Sequence, residues 1–406
     1  MQETNLNLLV VSYLYAPDKC GGAPIFTDFC EGLVERGINV TVRCAYPFYP
    51  EWKDKSGCNG IHVSKQTING VHVERYGMYI PTNPKSIAQR MFYEATHFLS
   101  LSRSLFSGSF DASVVFCPLM ASTAFGAVHK IIHRIPSILD IEDLPANAAA
   151  ASGITKHKFV VKLFMAIQKF LLGRYDAVRT ITPVMADSLD GVVNKPMVTI
   201  PHWVHPHLRD EIASHGSKVN RRLGDTLNLF YSGNIGGKQG LINFCKILSH
   251  TDLKFRFRIC GDGAGADELQ VWLSRNPSDD RFSLEPLGSE AELALRLFDT
   301  DFCVITEKPD KTASFFPSKL IPIITSGTPI LSVCDQSSPL GVEVLSHNLG
   351  LWLPWDTSIT DMVSKITSLT NFGTWQENAI QRSIYYDRER CLDQWYETIN
   401  QVLAAY

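Results

Sequence analysis

Glycines and lysines recur where strand-like apolar runs give way to helix-like segments. Gly21 and Gly22 follow the first such run, and YSGNIGGKQGL (231–241) brings Gly233 and Lys238 to a later one. Glycine lets the backbone approach a ligand closely, and free amides at the start of a helix attract anions. Because a lysine adds positive charge to such a loop, YSGNIGGKQGL predicts a diphosphate site. The alternatives are a solvated lysine here and a plain flexible turn at Gly21 and Gly22.

Two further segments of the second half have the same character. RICGDGAGADEL places Gly261 and Gly263 after a strand-like run, where they would border a nucleotide base or ribose. In FFPSKLIPIITSGTPIL, Pro317 and Ser318 are typical of a helix start, and Lys319 lies on its first turn. A helix start with a lysine beside it predicts a second phosphate cradle.

The elements that must position these residues form two series of short apolar runs alternating with helix-like segments. The runs are 6–14, 38–45, 112–117, 136–141, 176–182 and 196–201, then 227–233, 255–261, 281–288, 301–306, 328–333 and 349–354. This alternation predicts an α/β protein with two Rossmann-like domains, each with a parallel sheet, facing each other across a cleft. Ligands of such sheets bind beyond the carboxyl ends of the strands.

The predicted domain boundary lies in a polar, charged stretch, 205–226, which is typical of a linker. We therefore assign residues 1–205 to the first domain and 206–386 to the second. Residues 387–406 form an amphipathic helix predicted to return to the first domain.

Composition narrows the class of protein. Of 406 residues, 45% are hydrophobic and 19% charged, which indicates a globular protein, and the net charge of −3 argues against a nucleic-acid partner. Ten cysteines show neither Cys-x-x-Cys pairs nor zinc-ligand spacing, which favours a reducing compartment and no metal site. The chain is predicted to be cytoplasmic, with its first apolar run a strand, because that run lacks the basic residues of a signal peptide and no run is long enough to span a membrane.

The segment KHKFVVKLFMAIQKFLLGR (156–174) combines lysines with phenylalanine and leucine at helical spacing. Two interpretations remain open. A basic amphipathic helix can rest on the anionic inner face of a membrane, or it can pack on the core with a solvated basic face.

The four glycine- and lysine-bearing segments, in this order, resemble those of the GT-B glycosyltransferases of family 4. Within that family the resemblance is to colanic-acid-type, fucosyl-type sugar transferases of bacterial exopolysaccharide synthesis. The matching pieces are PDKCGGAP, YPFYPEW, DIEDLPANAAAASG, TITPVMADSL, IPHWVH, YSGNIGGKQGL and FFPSKL.

This resemblance implies a retaining, metal-independent hexosyltransferase without a cofactor. It would transfer a sugar from a UDP- or GDP-sugar to a saccharide acceptor, lipid-linked or free, in exopolysaccharide or O-antigen synthesis. The first domain would hold the acceptor and the second the donor. By position, Lys238 and Lys319 would neutralise the leaving diphosphate, with Gly233, Asn234 and Ser318 nearby. Asn234 and Ser318 are alternatively plain turn and cap residues.

The chain also departs from the family pattern. Two family glutamates that contact the donor are replaced by Ser314 and Pro322, and the family's His-Asp pair appears as Glu142 and Asp143. Asp143 is predicted to orient the donor sugar or the acceptor; otherwise it caps the turn after its strand.

Two other functions remain open: a nucleotide-sugar 2-epimerase of the same fold, and a non-catalytic subunit that binds nucleotide sugars. The non-catalytic subunit remains an alternative because the two family glutamates are missing. A dehydrogenase is disfavoured, because no Gly-x-Gly-x-x-Gly follows the first strand.

Overall fold

The computed structural model describes residues 6–18, 21–58, 60–84, 86–117, 119–142, 158–216, 223–309, 316–368 and 371–406. The chain divides into two compact units, one comprising Met1–Pro201 with Glu389–Tyr406 and the other His202–Arg388. Each unit is built on one sheet. The chain is thus an α/β protein with two sheets, as the alternation of runs predicted.

The sheet of the first unit is parallel except at one edge. Its strands lie in the order β3-β4-β2-β1-β5-β6-β7-β8. They are β1 (Asn7–Val11), β2 (Asn39–Ala45), β3 (Val63–Ile68), β4 (Val71–Tyr76), β5 (Ala112–Cys117), β6 (Ser137–Ile141), β7 (Ala177–Thr180) and β8 (Met197–Thr199). Strand β1 pairs with β2 on one side and β5 on the other, so the strand order reverses there.

The described helices of the first unit are α1 (Ala23–Glu35), α2 (Ile87–Ser102), α3 (Met120–His133), α4 (Lys158–Leu172), α5 (Pro183–Ser188) and the last helix of the chain, α14 (Arg388–Ala405). Helix α14 packs on α1, where the ring of Trp395 lies 4.9 Å from that of Phe29. Burial of Phe29 alone contributes about 2 kcal/mol. Arg36 adds ion pairs of 2.8 Å to both Glu389 and Asp393. The predicted return of the C-terminal helix is confirmed.

The hairpin of β3 and β4 was missed by the periodicity of apolar residues, because β3 carries mostly polar side chains. Its two strands are antiparallel and joined by Asn69 and Gly70. Both residues have positive φ, 48° and 82°, as the two-residue turn of a tight hairpin requires. The Asn-Gly pair is the signal that could have revealed it.

The sheet of the second unit is parallel throughout, in the order β11-β10-β9-β12-β13-β14. Its strands are β9 (Leu227–Ser232), β10 (Phe255–Cys260), β11 (Phe282–Glu285), β12 (Phe302–Thr306), β13 (Ile330–Val333) and β14 (Gly350–Leu353). All six coincide with predicted runs. The order reverses at β9, which lies between β10 and β12, so a crevice is expected where β9 and β12 end.

The described helices of the second unit surround this sheet. They are α6 (Pro206–Ser214), α7 (Leu241–Ser249), α8 (Ala266–Arg275), α9 (Glu290–Asp299), α10 (Leu320–Thr325), α11 (Pro339–Ser346), α12 (Ile359–Thr367) and α13 (Phe372–Ser383). Tyr231, Phe244 and Phe257 lie in the core between the sheet and these helices.

The stretch predicted as a linker is partly helical. Helix α6 begins with Pro206, whose fixed φ suits the first helical position, and it buries Leu208 and Ile212. Two apolar side chains at helical spacing were enough to fold a segment whose polar composition suggested a loop.

In the part of the chain that the structure describes, no helix has both the length and the apolar composition needed to cross a membrane.

Candidate functional site

The glycine-rich loop that follows β9 lies at the expected crevice. Gly233 and Gly240 have φ of 123° and 67°, which glycine adopts without strain. The amide of Gly233 donates to the carbonyl of Cys260 at 2.9 Å, and the amide of Ile235 to the carbonyl of Asp262 at 2.8 Å. The loops after β9 and β10 are therefore joined. Because the amide of Gly233 is already hydrogen-bonded, Gly233 does not offer a ligand a donor. It offers close approach to a backbone without a Cβ.

The two glycines predicted to border the nucleotide are required by this junction. A Cβ on Gly261 would lie 2.0 Å from the carbonyl oxygen of Gly233, and one on Gly263 would lie 2.8 Å from the carbonyl oxygen of Ile235. Neither backbone contact is sterically possible. Glycine at both positions therefore lets the two loops pack.

Lys319 directly precedes α10 and reaches back to this loop. Its Nζ lies 3.8 Å from the centroid of the Tyr231 ring and 3.0 Å from the position of a Cβ on Gly233. The Nζ atom is buried, and it has no hydrogen-bond partner among the described residues. Burial lowers the pKa of Lys319 to about 8, because desolvation disfavours the ammonium form. The face of Tyr231 compensates part of this cost through a cation–π contact.

Glu307, the first residue after β12, lies close enough to Lys319 to interact with it electrostatically. The sequence analysis missed this residue. Its Oε1 is buried without a hydrogen-bond partner in the described ranges. Burial raises the pKa of Glu307 to about 7, and the charge of Lys319 opposes that rise. Its backbone is fixed by the amide-to-carbonyl bond to Val333 (2.9 Å) and by the indole of Trp355, which donates to its carbonyl at 2.6 Å. The signal was an acidic residue directly after the buried run DFCVIT.

The other predicted residues of this unit lie on the surface of the same edge. Lys238 is exposed, and its carbonyl accepts the amide of Lys308 at 2.8 Å, which joins the loops after β9 and β12. Asn234 is exposed too, and its carbonyl accepts the hydroxyl of Tyr231 at 2.6 Å. Ser318 is exposed beside Lys319. The structure thus brings Gly233 and Lys319 together beneath a more exposed layer.

In the first unit, Gly21 and Gly22 lie just before α1. Gly21 has φ of 65°, and a Cβ on Gly22 would lie 2.2 Å from Cζ of Phe26. Both positions therefore need glycine for the turn and its packing. Asp143 lies outside the described residues, as does Ser314, while Pro322 lies in α10.

Glu142, beside the predicted Asp143, follows β6 directly and is half-buried. Burial raises the pKa of the Tyr13 hydroxyl well above its usual range, and the nearby charge of Glu142 adds to that rise. The carboxyl edge of this sheet therefore brings together a phenol and a carboxylate.

No group of three or more histidine, cysteine, aspartate or glutamate side chains that could hold a metal ion occurs in the described ranges.

Known proteins resemble this chain in both sequence and fold. Residues 21–203 match the model of the glycosyl transferase 4-like domain. Over 364 residues the chain is 25% identical to WcaI of Escherichia coli K12, named as a colanic acid biosynthesis glycosyl transferase, with 83% of this chain and 85% of WcaI covered.

Solved structures match nearly the whole chain. Sucrose-phosphate synthase from Thermosynechococcus elongatus matches with a TM-score of 0.72 and 13% identity, covering 99% of this chain and 100% of that one. HepE from Anabaena, in complex with UDP and glucose, matches with a TM-score of 0.66 and 12% identity, covering 98% and 100%. Such identities show a shared fold. The chain thus has the GT-B fold and carries a glycosyl transferase 4-like domain, which identifies it as a glycosyltransferase.

Proposed function

We propose that this glycosyltransferase transfers a sugar, with retention and without a metal ion, from a UDP- or GDP-sugar to a saccharide acceptor of bacterial exopolysaccharide or O-antigen synthesis. The name of WcaI supports the pathway, and the complex of HepE with UDP and glucose supports the donor class. The diphosphate binds where β9 and β12 end.

One observation carries this proposal: the buried ammonium of Lys319 beside Gly233. An ammonium group has three hydrogen-bond donors, and burying it without making those hydrogen bonds costs free energy. A diphosphate oxygen at the Gly233 loop would accept them. Because lysine has four rotatable bonds, Nζ reaches such a ligand by turning from the Tyr231 ring toward the loop surface.

The chemistry follows from where charge develops. As the sugar–phosphate bond breaks, negative charge grows on the leaving oxygen while the sugar approaches an oxocarbenium ion. A fixed cation at the diphosphate stabilises that state in the absence of a metal. Lys319 supplies this cation close to the loop, and Lys238 adds a second charge from the solvent side. The acceptor attacks on the face that the phosphate leaves.

Thermal unfolding with UDP, GDP, UDP-glucose and GDP-mannose, each with and without EDTA, tests the donor site. A ligand at a hundred times its Kd should stabilise the protein by about 2.7 kcal/mol, with or without EDTA. Lys319→Ala should lose about half or more of this stabilisation at the same ligand concentration, whereas Lys246→Ala, which removes an exposed lysine of α7, should keep it. Stabilisation that is equal in both variants would refute the site.

Product analysis with and without a saccharide acceptor tests the reaction itself. Sugar transfer only in the presence of acceptor is expected. Epimerisation of the donor without acceptor would instead indicate an isomerase, and donor binding without turnover would indicate a non-catalytic subunit.

We further propose that α4 contacts the inner, cytoplasmic face of the membrane, where a lipid-linked acceptor would lie. Helix α4 exposes four large apolar side chains to solvent, which is unfavourable. They are 43–59% exposed: Leu163, Met165, Ile167 and Phe170. Lys162 and Lys169 are exposed on the same helix, which contains no acidic residue. Apolar and basic side chains together match an anionic lipid surface.

Sedimentation with vesicles tests this contact. Binding is expected to vesicles containing phosphatidylglycerol and to be weaker with phosphatidylcholine alone. Replacing Lys162 and Lys169 by glutamate should weaken binding at least about tenfold, at about 1 kcal/mol for each lysine. The matched control is Lys246→Glu, on an exposed position of the second unit. Binding that is unchanged in the double variant would contradict the contact.

A further inference from the structure

Lys319, just before α10, and Glu307, just after β12, interact electrostatically without a direct ion pair, and each has a buried polar atom that makes no hydrogen bond within the described residues. Nζ of Lys319 and Oε1 of Glu307 are both buried, and neither atom has a hydrogen-bond partner in the described part of the chain. Each lowers the cost of burying the other's charge. Removing one partner of such a pair leaves an uncompensated buried charge.

Within the part of the chain that the structure describes, few other groups act on Lys319 and Glu307. The described groups facing Lys319 are Glu307, the ring of Tyr231 on β9 and the thiol of Cys303 on β12. Those facing Glu307 are Lys319, the hydroxyl of Ser338 at the start of α11 and the thiol of Cys334 after β13. Among the described residues, Glu307 is therefore the carboxylate that balances Lys319 before a ligand binds.

We propose that Glu307 is a positioning residue for the donor: its carboxylate is the counterion of Lys319 in the empty site, and a bound diphosphate displaces it. The inference rests on the proposed function, because the displacing ligand is the diphosphate of the donor. The two anions compete for one cation. When the donor binds, Lys319 stays protonated and turns to the diphosphate, while Glu307, left beside added negative charge, takes up a proton from solvent.

This competition has a definite dependence on pH. With a pKa of about 7, Glu307 is mostly neutral at pH 6, so it does not compete there. At pH 8 it is ionised, and binding must both displace and protonate it. Lys319, with a pKa of about 8, also loses its proton in the free protein as pH rises further. Donor affinity of the natural protein should therefore fall by more than about tenfold between pH 6 and pH 9.

The test is titration calorimetry of the full chain with UDP-glucose and GDP-mannose at constant ionic strength between pH 6 and pH 9. The charge of the diphosphate groups of these sugars does not change in this range. Glu307→Gln should bind about as tightly as the natural protein at pH 6 and about two- to tenfold more tightly at pH 8, which corresponds to a coupling of up to one pKa unit. Glu307→Asp keeps the carboxylate and should retain the weaker binding at pH 8.

The outcomes separate the inference from the proposed function. If the natural protein binds neither nucleotide sugar at any pH, the proposed function fails. If it binds one of them with an affinity that does not depend on pH, or if Glu307→Gln binds more weakly at pH 8, only the counterion role fails. A purely structural glutamate would weaken binding at every pH when replaced, and Glu307→Asp tests the role even if Glu307→Gln folds poorly.

Discussion

Glu94 in the first unit and Glu307 in the second are both buried carboxyl groups, yet the fold treats them differently. Burial raises the pKa of each to about 7. Glu94 accepts the amide of Ala121 at 2.8 Å and so satisfies the start of α3. Glu307 has the hydroxyl of Ser338 as a partner, but its Oε1 accepts no hydrogen bond from the described residues, and it lies near the buried ammonium of Lys319. A carboxylate with a structural role accepts hydrogen bonds from the fold itself. A buried carboxylate oxygen and a buried ammonium that both lack hydrogen bonds indicate a place where a ligand binds.

The strongest test of this contrast is Lys319→Met, which removes the cation and keeps most of the side-chain volume. Loss of a charged hydrogen bond to the diphosphate should weaken binding of UDP- or GDP-sugar about ten- to hundredfold. At pH 6, where Glu307 is mostly neutral, the ligand-free protein should become more stable, because a buried, unsatisfied ammonium is gone. Calorimetry and thermal unfolding measure the two effects; a less stable variant with unchanged affinity would indicate a scaffold lysine.

Gly233→Ala should have the next largest effect. Alanine is strained at φ of 123°, and its Cβ would lie 3.0 Å from Nζ of Lys319. We expect a loss of about 1–2 kcal/mol of unfolding free energy and weaker donor binding. Gly237→Ala is the matched control in the same loop, since a Cβ there meets no atom within 4 Å. Equal effects of the two substitutions would refute a special role of Gly233.

Glu94→Gln should change stability and leave the donor site alone. A folded-state pKa of about 7, above the ordinary 4.5, means that the folded protein holds a proton that the unfolded chain has lost. The stability that Glu94 contributes is therefore complete below pH 4.5 and is lost as pH rises to about 7. As pH rises over this range, the unfolding free energy of Glu94→Gln should fall less than that of the natural protein, by an amount of order 1 kcal/mol. Urea unfolding at pH 5 and pH 7 measures it, and a change in donor affinity would contradict the contrast with Glu307.

Lys238→Ala should have the smallest effect. Its side chain is exposed, and exposed charges contribute little in water. We expect binding weaker by about threefold at low salt, with the difference disappearing at high salt because of screening. A loss as large as that of Lys319→Met would move the main phosphate contact to Lys238.

Much of the fold followed from the spacing of apolar residues. The six strands of the second sheet were predicted, because β12 and β13 are continuous buried, mainly apolar runs and β10 alternates buried apolar side chains with exposed arginines. The edge hairpin of β3 and β4 was not, because its polar alternation resembles a loop. Gly261 and Gly263 were predicted to approach a ligand, which stays a prediction; the structure also packs them against Gly233 and Asn234. A glycine in the sequence indicates that another group approaches its backbone closely. Only the fold shows whether that group belongs to a neighbouring loop or to a ligand.

The sequence by itself determined the α/β class, the two sheets and the lysine beside the PSKL helix start, since these depend on local pattern and on residue type. Only the tertiary structure decided that the ammonium of Lys319 is buried against the ring of Tyr231 and that Glu307 lies close enough to interact with it electrostatically. Burial and proximity arise from residues far apart in the chain, and they determine whether a charged side chain is solvated or left in need of a partner.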